Sequence, residues 1–156
     1  MHWLLDLFLL ALLILFMVDK LTFLWVRRVY DLVYRLMVWS NGHLIFIDID
    51  NFKQFNDRYS HKIGDRILRK IGLILLAESR LRAFRYGGDE LCILLPWGSK
   101  EKARQIAERV RVKIEKANIW GLGVTVSCAI AKYEEFADKV LKEAKEKGKN
   151  RVITAK

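Results

Sequence analysis

Proline occurs once in the 156 residues, cysteine twice and histidine three times. With 53% hydrophobic residues beside that single proline, a disordered chain is excluded. Cys92 and Cys128 stand far apart, which excludes a disulfide framework and fits a reducing compartment. His61 has no His or Cys at ligand spacing, so it reads as structural. No internal repeat or low-complexity linker is present, and the length suits one domain around a single core. Positive charge, by contrast, is plentiful: 28 Lys and Arg face 18 Asp and Glu, a formal net charge of +10. That excess admits a membrane surface, a phosphate substrate or a polyanion, and only position can choose. The basic residues are scattered among acids without a stacking aromatic platform, so no nucleic-acid partner is expected.

Composition changes sharply near Asp19. From Trp3 to Val18 the chain reads WLLDLFLLALLILFMV, in which only Asp6 is polar. This is just short of the ~17–25 residues of a spanning helix, and Leu21–Trp25 could extend the apolar surface. Lys20, Arg27, Arg28 and Arg35 follow it and no Lys or Arg precedes it. The positive-inside rule then makes residues 1–18 a single-pass anchor in the cell (inner) membrane and places residues 19–156 in the cytoplasm. A packing or dimer-forming helix is the alternative reading of the same segment, and a cleaved signal peptide fits less well.

Beyond the leader, Leu21–Val38 reads as a continuing helix, stopped by Ser40-Asn41-Gly42. His43–Ile49 is an almost wholly apolar run, as expected of a central strand buried on both faces. Asn51–Ser60 reads as a polar, aromatic connection, and Ile63 to Leu75 recur at helical spacing. Gly87-Gly88 separates two strand-like runs, Arg82–Tyr86 and Glu90–Leu95, and should supply the positive φ angles of a tight hairpin. A helix from Ala103 to Ala117, a strand in Gly123–Ala131, a helix from Glu134 to Lys147 and a short strand at Arg151–Ile153 complete the order. The class is α/β (α+β), a mixed central sheet covered by helices.

If the hairpin pairs beside the first strand, Asp48, Asp50, Asp89 and Glu90 converge at one end of the sheet. Carboxylates brought that close repel unless a cation lies between them, and a divalent metal is the usual solution. Mg²⁺ suits hard oxygen ligands and completes its shell with water and substrate phosphates, which points to nucleotide chemistry.

Arg85-Tyr86-Gly87-Gly88-Asp89-Glu90-Leu91 resembles the signature of GGDEF-domain diguanylate cyclases, a nucleotidyl-cyclase-like family, with Leu91 where Phe is usual. Asp48 to Asp57, then His61 and Gly64-Asp65, is similar to the family's DxDxFKxxND…GHxxGD stretch. Asp19 to Arg28 resembles DxLTGLxNRR, Val126 to Ala131 the SxGxA strand, and Ala137 to Arg151 the closing ADxALYxAKxxGRNR. These motifs stand in family order over residues 19–152.

The resemblance implies condensation of two GTP into cyclic di-GMP with release of pyrophosphate by a homodimer using Mg²⁺ or Mn²⁺. It assigns the metal to Asp48, the carbonyl of Ile49, Asp89 and Glu90. Glu90 would assist there or at the attacking ribose hydroxyl, and Asp48, Asp89 and Glu90 form the catalytic set. Asn56 and Asp65 would read guanine, since a carboxylate accepts from its N1–H and N2–H while an amide donates to its acceptors. Lys53, Lys145 and Lys149 would meet the triphosphate, cradled by amides near Asn51 and Phe52. Each residue also has a plain structural reading: Asn56 as a turn residue, Asp65 as an early helix acid, Lys145 and Lys149 as a solvated helix end.

The departures from the pattern are Phe23 and Ser60 for Gly, Val26 for Asn, Ala129 for Gly, and Lys149 for Arg. Leu91, Phe23 and the short connections near Glu78–Leu81 and between Ala131 and Phe136 motivate an alternative, a catalytically silent domain that binds GTP or a protein partner. Glu78–Phe84 contains no Asp, so the family's RxxD site of product inhibition should be missing.

Overall fold

The computed structural model describes residues 2–155. The order is α1 (His2–Met17), β1 (Trp25–Val26), α2 (Arg27–Trp39), β2 (His43–Ile49), α3 (Phe52–Tyr59) and α4 (His61–Ser79). There follow β3 (Ala83–Arg85), β4 (Glu90–Leu95), α5 (Lys100–Ala117), a 3₁₀ turn at Ile119–Gly121, β5 (Val126–Ala131), α6 (Glu134–Glu146) and β6 (Val152–Thr154). The six strands form one sheet in the order β1-β3-β4-β2-β5-β6. β2 runs antiparallel to both β4 and β5, whereas β1 and β3, and β5 and β6, pair parallel, so the sheet is mixed.

The apolar run of β2 is explained by its central place, because strand side chains alternate between faces and both faces are covered. Ile45, Ile47 and Ile49 enter one layer with Ile67, Ile71 and Leu75 of α4 and Ala107, Val110 and Ile114 of α5. Leu44 and Phe46 enter the other with Tyr30 and Met37 of α2 and Ala137, Val140 and Leu141 of α6. Each fully buried Leu or Ile contributes on the order of 2 kcal/mol of transfer free energy, so β2 is firmly anchored in the core. Cys128 lies in the first layer and Cys92 in the second, on opposite faces of the sheet.

Several expectations need correction. α1 and α2 are not one continuous helix, because the chain turns back between them. The Asp19 carboxylate accepts from the Thr22 amide (2.8 Å) and hydroxyl (2.7 Å), the Asp19 amide donates to the Leu24 carbonyl (2.7 Å), and Val18 bridges to Trp25. Leu24 is thereby buried in the core and cannot lengthen an apolar span. α1 has 16 residues, about 24 Å at ~1.5 Å per residue against a hydrocarbon core of ~30 Å. Among the described residues no helix is long and apolar enough to cross a membrane.

Asn51–Ser60, read as a connection, contains the helix α3, whose Phe52 and Phe55 pack onto the core. Nor do Gly87 and Gly88 have positive φ; the glycines that do are Gly121, Gly123 and Gly148.

Candidate active site at the end of the central strand

Asp48 stands near the end of β2, directly opposite Glu90, the first residue of β4. It is 6% exposed. Burial pushes its carboxyl up to about 6; the Lys145 ammonium, 2.7 Å from Oδ2, opposes that rise, and Asp89 and Glu90 add to it. The hairpin thus brings Asp48, Asp89 and Glu90 together at one end of the sheet, with the Lys145 ammonium against them.

The turn between β3 and β4 is held by its neighbours rather than by left-handed glycines. The amides of Tyr86 and Gly87 both donate to the Glu90 carbonyl, at 2.9 and 3.1 Å. Glu90 reaches back over Gly87: a Cβ there would lie 2.5 Å from Glu90 Oε2, the mobile end of that side chain. The Arg85 guanidinium donates to the Gly87 carbonyl (3.3 Å), the Gly88 carbonyl (2.9 Å) and the Asp19 carboxylate (3.0 Å). Burial tends to raise the Asp19 carboxyl, but its bonds to Thr22 and the Arg85 charge together hold it below the usual carboxylate range.

Beyond Asp48 the chain enters α3 through Asn51, which has φ +58° and gives the helix no side-chain cap. The first amides of α3, from Phe52 onward, are therefore left for an anion, as at other uncapped helix starts. Lys53 is exposed in that turn, and Lys149 donates to the Asn51 side chain (2.5 Å). α3 packs on α4 so closely that a Cβ at Gly64 would fall 1.9 Å from Asn56 Oδ1, an atom buried without a hydrogen-bond partner. Asp65, the next residue along α4, is exposed. Asn56 on α3 thus lies against Gly64, the residue before Asp65 on α4.

Asp50 does not join the other acids. It is 2% exposed, and its carboxylate accepts from Thr125 Oγ1 (2.7 Å), Ser127 Oγ (2.7 Å) and the Asn150 amide (3.0 Å). Side chains alternate along an extended strand, so Asp50 would share a face with Asp48, but β2 ends between them and the chain turns. Asp50 ties β2 to β5 and to the loop before β6. Sequence reasoning did not find Thr125, Ser127 or Asn150 as its partners; Ser127 and Asn150 lie within family-like motifs, and Thr125 carried no signal. A cleft of about 260 Å³, lined by His43, Lys100, Lys132 and Tyr133 among others, lies at the opposite end of β2 from Asp48.

The family model described as diguanylate cyclase, GGDEF domain, matches residues 16–151. The chain belongs to the GGDEF family. Among curated GGDEF relatives, Diguanylate cyclase VdcA of Vibrio cholerae is 36% identical over 155 residues, covering 86% of this chain and 46% of that protein. Uncharacterized protein YhcK of Bacillus subtilis is 41% identical over 126 residues, covering 70% of this chain and 35% of its own. The chain therefore spans less than half the length of these relatives. Among solved structures, the coiled coil and GGDEF domain of DgcB from Caulobacter crescentus, in complex with c-di-GMP, superposes with a TM-score of 0.86 at 26% identity. That match covers 97% of this chain and 92% of the other. Diguanylate cyclase SiaD of Pseudomonas aeruginosa, in complex with its activator SiaC, gives a TM-score of 0.85 at 28% identity, covering 99% and 67%.

GGDEF cyclases use divalent metal ions, and the donors here suit one in kind, since carboxylates and a strand-end carbonyl are hard oxygen ligands. Among the described residues no three His, Cys, Asp or Glu side chains are gathered closely enough to hold an ion alone.

Proposed function

We propose that this GGDEF domain is a diguanylate cyclase that condenses two GTP into cyclic di-GMP and releases pyrophosphate, acting as a homodimer with Mg²⁺ or Mn²⁺. The observation that carries the reading is the register pair Asp48–Glu90, set beside the Gly87–Asp89 turn and the uncapped start of α3. Three acids, three lysines and free amides then share one end of the sheet.

Asp48, Asp89, Glu90 and the Ile49 carbonyl would hold the metal, which would supply charge neutralisation at the phosphates. Lys53 and Lys149 approach the triphosphate from the α3 side, and the Phe52 and Lys53 amides cradle it. Lys145, paired here with Asp48, would meet the phosphates from α6. Asn56 and Asp65 read guanine, and an adenine offers neither hydrogen-bonding pattern correctly. The product is two-fold symmetric and each copy presents one GTP, so two copies face each other during reaction. Every catalytic acid of the motif is present, which favours activity over a silent GTP-binding role. Glu78–Phe84 lacks an Asp, and the cyclase runs without product inhibition through an RxxD site.

Residues 19–156 are the catalytic unit in this reading, and α1 is its attachment at the cytoplasmic face of the cell membrane, on the strength of its exposed Trp3, Leu5, Phe8 and Phe16. High-salt washing of membranes tests that part: the protein should stay bound, and its release by salt alone would contradict attachment through apolar surface. Nucleotide selection tests the site. The domain should consume GTP and leave ATP, and Asp65→Ala should erode that preference; equal turnover of ATP by the unaltered chain would contradict the assigned guanine readers.

A further inference from the structure

We propose that Glu134, the first residue of α6, is a positioning residue that sets the Gly87–Glu90 turn through the hydroxyl of Tyr86. The inference rests on the cyclase reading for its kinetic consequence, though not for its structural one. Tyr86 immediately precedes the two glycines, and its hydroxyl donates to Glu134 Oε1 while accepting from Arg27 Nη2 at 3.0 Å. The Arg27 guanidinium also lies over the Tyr86 ring, 4.1 Å from its centroid, and the edges of Tyr30 and Phe46 close the sides at 5.1 and 4.8 Å. Glu134 is fixed in turn: the Tyr30 hydroxyl donates to Oε2 (3.3 Å), and the Glu134 amide donates to the Tyr34 hydroxyl (2.8 Å). That last bond satisfies a helix-start amide that Tyr133, the N-cap residue, leaves without a side-chain cap. Burial, reinforced by the Glu134 charge, holds the Tyr86 phenol above its ordinary range, so it remains a donor.

The arrangement matters because the turn has little rigidity of its own. Two consecutive glycines carry no side chains to pack, so the turn is fixed from outside: Arg85 holds the two glycine carbonyls, and Tyr86 ties the strand that enters the turn to α6. α6 is placed to do this because only Lys132 and Tyr133 separate it from β5. Glu134 and Lys145 are eleven residues apart, about three turns at ~3.6 residues per turn, so they share one face of α6. One helix thus fixes the turn at its first residue and contacts Asp48 near its last.

Tyr86→Phe removes only the hydroxyl. It should lower kcat by about tenfold or more, because a displacement of about 1 Å at reacting groups is that costly. KM for GTP should stay within about twofold, because the guanine readers sit on α3 and α4, outside the network. Glu134→Ala should reproduce the loss, and Glu134→Gln, which keeps an oxygen acceptor, should recover most of it. Amide hydrogen exchange gives a readout independent of turnover: in both Tyr86→Phe and Glu134→Ala, exchange should quicken in residues 86–90 and not in β2. Exchange unchanged in that segment, or kcat within about twofold of the unaltered chain, would overturn the inference. Should the unaltered chain make no cyclic di-GMP, the cyclase reading fails, and the exchange result alone decides the role of Glu134.

Discussion

Asp48→Asn should stabilise the metal-free domain while removing its chemistry. The Asp48 carboxyl is raised from 3.8 to about 6 because burial outweighs the Lys145 ammonium beside it. Protonation is therefore easier in the folded chain than in the unfolded one. The stability this group contributes is fully present below pH ~3.8 and is lost as pH rises through about 6. The rise from 3.8 to about 6, at ~1.4 kcal/mol per tenfold change in proton affinity, bounds the loss at about 3 kcal/mol. An amide of the same shape carries no charge to desolvate, and Lys145, whose side chain is 38% exposed, can turn to water. The assay is urea unfolding in EDTA from pH 4 to 8. The gap between Asp48→Asn and the unaltered chain should open in favour of the variant by as much as ~3 kcal/mol as pH rises from 4 to 7.5. A variant less stable at pH 7.5, or a difference that does not change with pH, would refute the reasoning.

Three further outcomes follow from the same geometry. Asp50→Ala leaves the Thr125 and Ser127 hydroxyls and the Asn150 amide without their acceptor and should cost about 3–5 kcal/mol in chemical unfolding, as broken buried networks do. Ser60 has φ +127° and ψ +159°, a region nearly restricted to glycine, so Ser60→Gly should raise stability by about 1–2 kcal/mol, measured in the same way. Asp65→Ala, at an exposed position on α4, should raise KM for GTP by about tenfold or more through loss of the guanine contacts, with the melting temperature nearly unchanged.

Much of this was legible from residue order. The apolar run His43–Ile49 marked the central strand because both faces of β2 are covered, and the apolar repeats marked α4, α5 and α6 because each buries one stripe. Asp48, Asp89 and Glu90 could be brought together on paper once the hairpin was set beside that strand. Less was legible where local chemistry serves tertiary contacts. Gly87-Gly88 suggested left-handed φ, whereas neither glycine adopts it and the turn is held instead by the Tyr86 and Gly87 amides on the Glu90 carbonyl. Asp50 looked like a fourth site acid because the strand period placed it beside Asp48, yet its partners come from β5 and the loop before β6. The leader appeared extendable by Leu21–Trp25 because hydropathy does not register the Asp19–Thr22 turn that buries Leu24 in the core. Glu134 belongs to the same class: its partners on α2 and at the signature turn are distant in sequence, and only the folded chain brings them to it.

The most direct test incubates the full chain, dimeric in detergent, with GTP and either Mg²⁺ or Mn²⁺, and resolves the nucleotides. Cyclic di-GMP and pyrophosphate should appear with the unaltered chain and be abolished by Asp89→Ala. GTP bound without turnover by a dimeric preparation, with both metals tried, would contradict the account.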